Sequence, residues 1–177
     1  IHMELKLQSK GFYPSHGAGW VKSQKVIEFA GQQKEYYEFE FINSPLTISA
    51  PIENIDRLGI RSVLKEKEII EKIALLKKTK NMKPKTSDFN QLITMLNDLE
   101  GKGDIDSYVQ IIQYCNSIKK QRDTEGRLIP VSIDKHIKNS IDNIIAEMAV
   151  SAGTSMEKAL IKFEKATGMQ VDEIETY

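Results

Sequence analysis

The chain has 177 residues, 40% of them hydrophobic, and its 25 basic side chains balance 25 acidic ones. This length allows one or two domains with a real core, and the balanced charge argues against a purely electrostatic nucleic-acid binder, which is usually basic. The single cysteine, Cys115, excludes an internal disulfide framework and is typical of a reducing cytosol. Because no apolar run approaches the roughly 18 residues of a membrane span and no signal-peptide pattern opens the chain, we expect a cytoplasmic protein.

The first third of the chain carries patterns that are typical of β-strands. We predict a short strand within 3–10 and longer strands over 20–29, 34–42 and 46–52. In the third of these, Tyr37, Phe39 and Phe41 alternate with polar residues, which predicts one buried face. A turn over residues 30–33 makes the second and third strands a hairpin, and Pro51 predicts a strand end or a sheet edge. Short strands and tight turns favour a small bent sheet or barrel of Tudor or SH3 type, with Tyr13 and Trp20 in its core.

Beyond residue 61, hydrophobic residues recur at spacings of three and four, as in amphipathic helices. We predict helical segments over 62–77, 87–99, 105–119, 133–150 and 154–168, with Ser87, Asp104 and Ser132 as N-caps and a capping box from Thr154 to Glu157. Cys115 is expected in the core, on the apolar stripe of the third of these helices. The sequence therefore predicts an α+β protein: a small Tudor/SH3-like β-barrel module over 3–64, followed by an all-helical domain over 65–177.

Several motifs of the β module resemble a known family in order and spacing. They are Tyr13-Pro14-x-His16-Gly17-x-Gly19, Gly31-x-x-Lys34-Glu35-Tyr36, Pro51-x-Glu53-Asn54 and Gly59-x-Arg61. They resemble the amino-terminal module of the CarD/CdnL family of bacterial transcription regulators, which is related to a module of transcription-repair coupling factor. In that family the module binds the β subunit of RNA polymerase, and a helical domain touches promoter DNA at the upstream edge of the −10 element. The resemblance implies a nucleoid-associated monomer that stabilises the open promoter complex.

The resemblance also implies a polymerase-binding surface on the β module. Family members often carry partner-contacting arginines where this chain has Ile27 and Ser49. That difference indicates a more apolar contact here, with Lys22 or Lys25 compensating for the lost charge. Together with Phe29 and Ile48, these residues form the predicted surface, whose mode of binding is expected to be the pairing of an exposed strand edge with a strand of the partner.

DNA contacts are expected on the helical domain. The family inserts a tryptophan, flanked by Asp and Asn, into the minor groove, and this chain has Asp88-Phe89-Asn90 at the matching place. Phe89 is predicted either as an apolar wedge at a base step, with Asn90 contacting DNA beside it, or as a core residue at helical spacing. Basic residues that could meet phosphates, in a lysine-rich segment before this helix and around the end of the next one, are Lys80, Lys83, Lys85, Lys119, Lys120, Arg122 and Arg127. The alternatives are a solvated linker for the lysine-rich segment and stabilisation of a helix carboxyl end for the second group.

Catalysis is not expected from this sequence. It has no phosphate-binding glycine loop, no nucleophile elbow and no metal-ligand spacing around His16 or His136, so we predict no cofactor and no metal. The principal alternative to a DNA-contacting regulator is a scaffold that binds polymerase or another partner without touching DNA. A third hypothesis, an RNA-binding barrel, needs exposed aromatic platforms, whereas the strand aromatics mostly alternate inward.

Overall fold

The computed structural model of the chain describes residues 5–78 and 82–172. It confirms an α+β fold, in which an antiparallel sheet of five strands is followed by five α-helices. The strands are β1 Lys10–Tyr13, β2 Gly17–Phe29, β3 Gln32–Phe41, β4 Ser44–Pro51 and β5 Arg61–Ser62. The helices are α1 Glu66–Ile73, α2 Phe89–Lys102, α3 Ile105–Thr124, α4 Val131–Ala152 and α5 Met156–Thr167.

The strand order in the sheet is β4-β3-β2-β1-β5, so that β4 and β5 form its two edges. The predicted hairpin is confirmed as β2 and β3, but its turn is shorter than expected and consists of Ala30 and Gly31, both at positive φ. Two consecutive positive φ angles match the right-handed twist of the flanking strands. Register shifts after Val21 and after Glu40 mark irregularities of the kind that bend a small sheet.

The predicted strand within 3–10 is wrong over its described part. A turn occupies this segment: Gln8 has a φ of 70°, and the backbone N–H of Lys6 donates to Ser9 Oγ at 2.8 Å. The turn breaks the expected alternation, because Leu5 is buried whereas Leu7 is 57% exposed. Regular pairing therefore begins only at Lys10, opposite Trp20.

One face of the sheet covers a β core, and the other packs on the helices. The β core contains Leu5, Val21, Phe39, Phe41, Ala50, Ile55 and Ile60. Phe12 and Ala18 belong instead to the larger helical core. Trp20 was predicted in the core of the barrel, but it is only half-buried, lies against the helical core and donates from Nε1 to Glu40 Oε2 at 3.1 Å. Tyr13 does pack against the β core.

Several predicted helix starts are off by one or two residues. Asp88, rather than Ser87, caps α2, and Ser155, rather than Thr154, caps α5. The fourth helix begins directly after Pro130, so Ser132 lies inside its first turn. The predicted cap at Asp104 is confirmed, since Asp104 Oδ1 accepts from the N–H of Ser107 at 2.7 Å. At α2 and α5 two adjacent residues have side chains that can cap a helix, so the sequence leaves the start uncertain by one residue.

Candidate interaction surfaces

The far half of the β2–β3 hairpin extends beyond the rest of the sheet. Pairing of β1 with β2 reaches only Trp20, and pairing of β4 with β3 begins at Tyr36. Residues 26–35, which we call the hairpin arm, therefore form a ribbon of two strands. Val26 is 60% exposed, Ile27 40% and Phe29 79%. Clustered apolar exposure of this kind on a protein surface indicates a contact site for a partner.

The strand register assigns five of the six predicted polymerase-binding residues to one face. Lys25, Ile27 and Phe29 alternate along β2, and Ser49 lies opposite Glu38, which accepts a hydrogen bond from Lys25. The fifth is Lys22, whose Nζ lies 3.8 Å from Glu40 Oε1. The exception is Ile48: it lies opposite Phe39 and packs against the β core on the other face. We call the face of Lys22, Lys25, Ile27, Phe29 and Ser49 the outer face.

Charges on the outer face neutralise one another. The hydrogen bond from Lys25, together with the positive charges of Lys25 and Lys22, holds the pKa of Glu38 below its usual value. Nζ of Lys22 also lies 4.0 Å from Glu38 Oε1. Both lysines already lie close to carboxylates. The part of the outer face that is open to a partner is therefore formed by Ile27 and Phe29. This agrees with the apolar contact expected from the sequence.

The edge strand β4 adds backbone groups to this surface. Among the described strands, it has β3 on one side and is the last of the sheet on the other. Leu46, Thr47 and Ser49 are exposed along it. An unpaired edge of this kind can accept a further strand from a partner, with backbone hydrogen bonds supplying affinity and side chains supplying selectivity.

Phe89 is the first residue of α2, and its side chain is 39% exposed. The alternative that Phe89 fills the core is therefore wrong, although Leu92, Leu96 and Leu99 of the same helix are buried as predicted. Asn90 is exposed beside it. An exposed aromatic side chain at the start of a helix is available to a partner surface.

The predicted phosphate contacts fall into two groups. Lys83 and Lys120 line a common groove of about 220 Å³ along the end of α3, and Lys85 is exposed on the segment that leads into α2. In the part of the chain that the structure describes, these three lysines form no ion pair. Lys80 lies outside the described residues.

The remaining basic residues are engaged by their neighbours. Lys119 Nζ lies 2.8 Å from Asp134 Oδ1, and Arg122 Nη1 donates to the carbonyl of Leu128 at 3.0 Å. Arg127 Nη1 lies 3.2 Å from Glu125 Oε2. The pKa of Glu125 is lowered by a hydrogen bond from Gln121 and then by that from Arg127. Phosphates would have to compete with these carboxylates for Lys119 and Arg127.

Sequence reasoning assigned no role to the residues that join the two parts of the molecule. Arg61 was recognised only as part of a motif, and Glu147 not at all, yet the two form an ion pair between β5 and α4. The signal in the sequence was a lone acid within the apolar run IIAEMAV, which is unusual because buried acids need a partner.

His136 contacts a neighbouring helix, since its Nδ1 lies 2.6 Å from Glu100 Oε1 of α2. In the described ranges, no cluster of three or more histidine, cysteine or acidic residues could hold a metal ion. Within residues 5–78 and 82–172, no helix has both the length and the apolar character that a membrane span requires.

A small sheet with an edge strand and exposed apolar residues on its hairpin arm has the features of a surface that binds another protein. Residues 12–64 match the family model of the CarD-like/TRCF RID domain. That domain is an RNA polymerase β-subunit interaction domain, and the match suggests a transcription-related, polymerase-interacting function. The resemblance found in the motifs is confirmed.

Proposed function

We propose that the chain is a non-catalytic, monomeric transcription regulator that binds RNA polymerase and promoter DNA together and stabilises the open complex. Residues 3–64 serve as the polymerase-interacting domain and residues 65–177 as the DNA-contacting domain. The observation that carries the proposal is the combination of a matched polymerase-interaction domain with an exposed Phe89 at the start of α2. Polymerase binds through the outer face and the β4 edge.

The mechanism needs only a difference in affinity. A protein that binds the open complex more tightly than the closed one shifts the equilibrium by that difference, and about 1.4 kcal/mol is tenfold. Phe89 supplies an apolar wedge at the upstream edge of the −10 element. Lys83, Lys85 and Lys120 supply phosphate contacts, with smaller contributions from the partly neutralised Lys119, Arg122 and Arg127.

The test is the lifetime of open complexes of a bacterial RNA polymerase under competitor challenge, with and without the protein. We expect the protein to lengthen the lifetime and Phe89→Ala to remove most of that effect. Ile161→Ala is the matched control, because Ile161 is an exposed apolar residue on α5. Equal loss of effect in both variants, or none in either, would count against Phe89 as a wedge.

Polymerase binding is tested separately on the two faces of the sheet formed by β2, β3 and β4. Ile27→Glu with Ser49→Glu adds two charges to the outer face and is expected to abolish binding to the β subunit. Gln24→Glu with Gln33→Glu adds the same charge to the opposite face of the β2–β3 hairpin, because these exposed residues pair with Tyr37 and Glu28, and is expected to leave binding intact. Unchanged binding of the first variant would exclude the outer face.

A polymerase-binding scaffold without DNA contact is the second candidate, favoured by the ion pairs of Lys119 and Arg127. A salt titration of promoter DNA binding by the polymerase complex separates the two. Phosphate contacts predict that Lys83→Gln with Lys120→Gln lowers the salt slope by about 2. Lys158→Gln with Lys165→Gln, on the exposed face of α5, should leave it unchanged. A slope that neither variant alters favours the scaffold.

A further inference from the structure

A buried ion pair joins the β module to the helices. Arg61 of β5 donates from Nη1 to Glu147 Oε2 at 2.9 Å and from Nη2 to Glu147 Oε1 at 2.6 Å. The carboxylate of Glu147 is fully buried in α4, and Arg61 is 25% exposed. A third donor, the backbone N–H of Leu64, reaches Glu147 Oε2 at 2.9 Å. Both carboxylate oxygens are therefore held by groups from the end of the β module.

The same arginine reaches two further elements. Its Nε and Nη2 donate to the carbonyl of Gly103, between α2 and α3, at 3.1 and 2.9 Å. Its guanidinium carbon lies 4.7 Å from the centroid of the Phe12 ring in β1. Arg61 thus contacts α4, the α2–α3 connection and β1 at once, and α2 is the helix that begins with Phe89.

Two more hydrogen bonds surround this point. Ser151 Oγ donates to the carbonyl of Leu64 at 2.6 Å, and Lys10 Nζ donates to the carbonyl of Ser151 at 3.1 Å. The bond of Lys10 links β1 to the last turn of α4, and that of Leu64 links the segment after β5 to the same turn.

Stability alone does not account for a buried pair of this kind. Apolar residues of similar volume often replace buried ion pairs without loss of stability, and the contact of Phe12 and Ala18 with the helical core already buries apolar surface. Apolar contact is non-directional, whereas a planar, two-pronged arginine–carboxylate pair has a defined geometry. The pair therefore adds a defined orientation of the helices relative to the β module.

We propose that Arg61 and Glu147 are positioning residues that fix the orientation of the helices on the β module. A polymerase that holds the β module then presents Phe89 to DNA at one place. The functional part of this inference rests on the proposed function. The orientation itself does not, and it can be measured on the free protein.

The direct test measures the distance between the two parts of the full chain. Spin labels at Thr47→Cys on β4 and Asn97→Cys on α2, in a Cys115→Ala background, report it by double electron–electron resonance; both sites are exposed. We expect one narrow distance distribution for the parent. Arg61→Met with Glu147→Leu keeps the buried volume but removes the directional bonds, and should give a folded protein with a distribution at least about twofold broader.

Asp106→Asn is the matched control. It removes the carboxylate that accepts two hydrogen bonds of 2.8 Å from Lys72 within the helical part, and its distribution should equal the parent's. Arg61→Lys keeps the positive charge without the two-pronged geometry, and should broaden the distribution as the double variant does.

Function is measured in parallel. For the Arg61→Met, Glu147→Leu variant we expect affinity for the polymerase β subunit within about twofold of the parent's, but an open-complex lifetime shortened about tenfold, since a poorly oriented second contact has a lower effective concentration. A distribution as narrow as the parent's would overturn the inference, as would failure of this variant to fold, because the pair would then serve stability. If the parent itself does not lengthen the lifetime, the proposed function fails, while the distance measurement still decides the orientation.

Discussion

Gly19 lies in the middle of the sheet, between Gly11 of β1 and Phe41 of β3. A Cβ atom at this position would lie 1.7 Å from the carbonyl oxygen of Glu40, and paired strands leave that carbonyl little room to move. We expect Gly19→Ala to lower the free energy of unfolding by about 3 kcal/mol or more, as measured by urea denaturation.

Gly101 provides the control for this substitution. It lies inside α2, and apart from its two neighbours and the backbone of its own helix, no described atom lies within 4 Å of a Cβ added there. Gly101→Ala should therefore raise stability by about 0.5–1 kcal/mol. Equal effects of the two substitutions would contradict the close approach of the strands at Gly19.

Cys115 is fully buried on α3, and burial raises the pKa of its thiol to about 12. The reactive species is the thiolate, and a raised pKa means that the thiol remains protonated at pH 8. We expect almost no reaction with a disulfide reagent at pH 8 in the native state and rapid reaction in denaturant. Lys6→Cys, at an exposed position, is the positive control, and fast native labelling of Cys115 itself would contradict the packing.

At the scale of elements, two adjacent residues, Ser87 and Asp88, could each cap the start of α2, and the structure distinguishes between them. Asp88 Oδ1 accepts from the N–H of Gln91 at 3.1 Å, whereas Ser87 does not cap the helix. Asp88→Ala should cost about 1 kcal/mol of unfolding free energy, and Ser87→Ala less than about 0.5 kcal/mol. Thermal denaturation of the two variants checks this, and the reverse order would restore Ser87 as the cap.

The elements themselves were predictable because their signals are local. The alternation of Phe39 and Phe41, the Gly31 turn and the spacing of Leu92, Leu96 and Leu99 each depend on a few neighbouring residues. Periodicity failed at Phe89, because the first residue of a helix can lie beyond the surface against which the later turns pack.

Long-range contacts were not predictable in this way. Arg61 and Glu147 are 86 positions apart, and no local pattern pairs them. Trp20 was assigned to the wrong core because alternation identifies two faces of a strand without showing what covers each. Of the predicted polymerase-binding residues, Ile48 lies on the face opposite to the others. Strand alternation already separates it from its neighbour Ser49, but only the register of β4 on β3 shows which of the two lies on the outer face.

At the scale of the whole molecule, the shared core predicts cooperative unfolding. Phe12 and Ala18 of the sheet belong to the helical core, and Trp20, the only tryptophan, lies against it. We expect Trp20 fluorescence and far-ultraviolet circular dichroism, which follow the contact and the helices respectively, to give coincident urea transitions. Separate midpoints would mean that the sheet and the helices unfold independently.

The connection between α2 and α3 also determines where the chain tolerates changes in length. Gly103 has a φ of +61°, and a Cβ added to it would lie 2.9 Å from Pro14 Cγ, while its carbonyl accepts from Arg61. An insertion here would push α2 and α3 away from the sheet. Between α3 and α4, by contrast, Leu128 is 91% exposed and residues 125–128 lie at the surface. A fluorescent tag or an affinity peptide therefore belongs in that loop, and natural variation in length is expected to concentrate there.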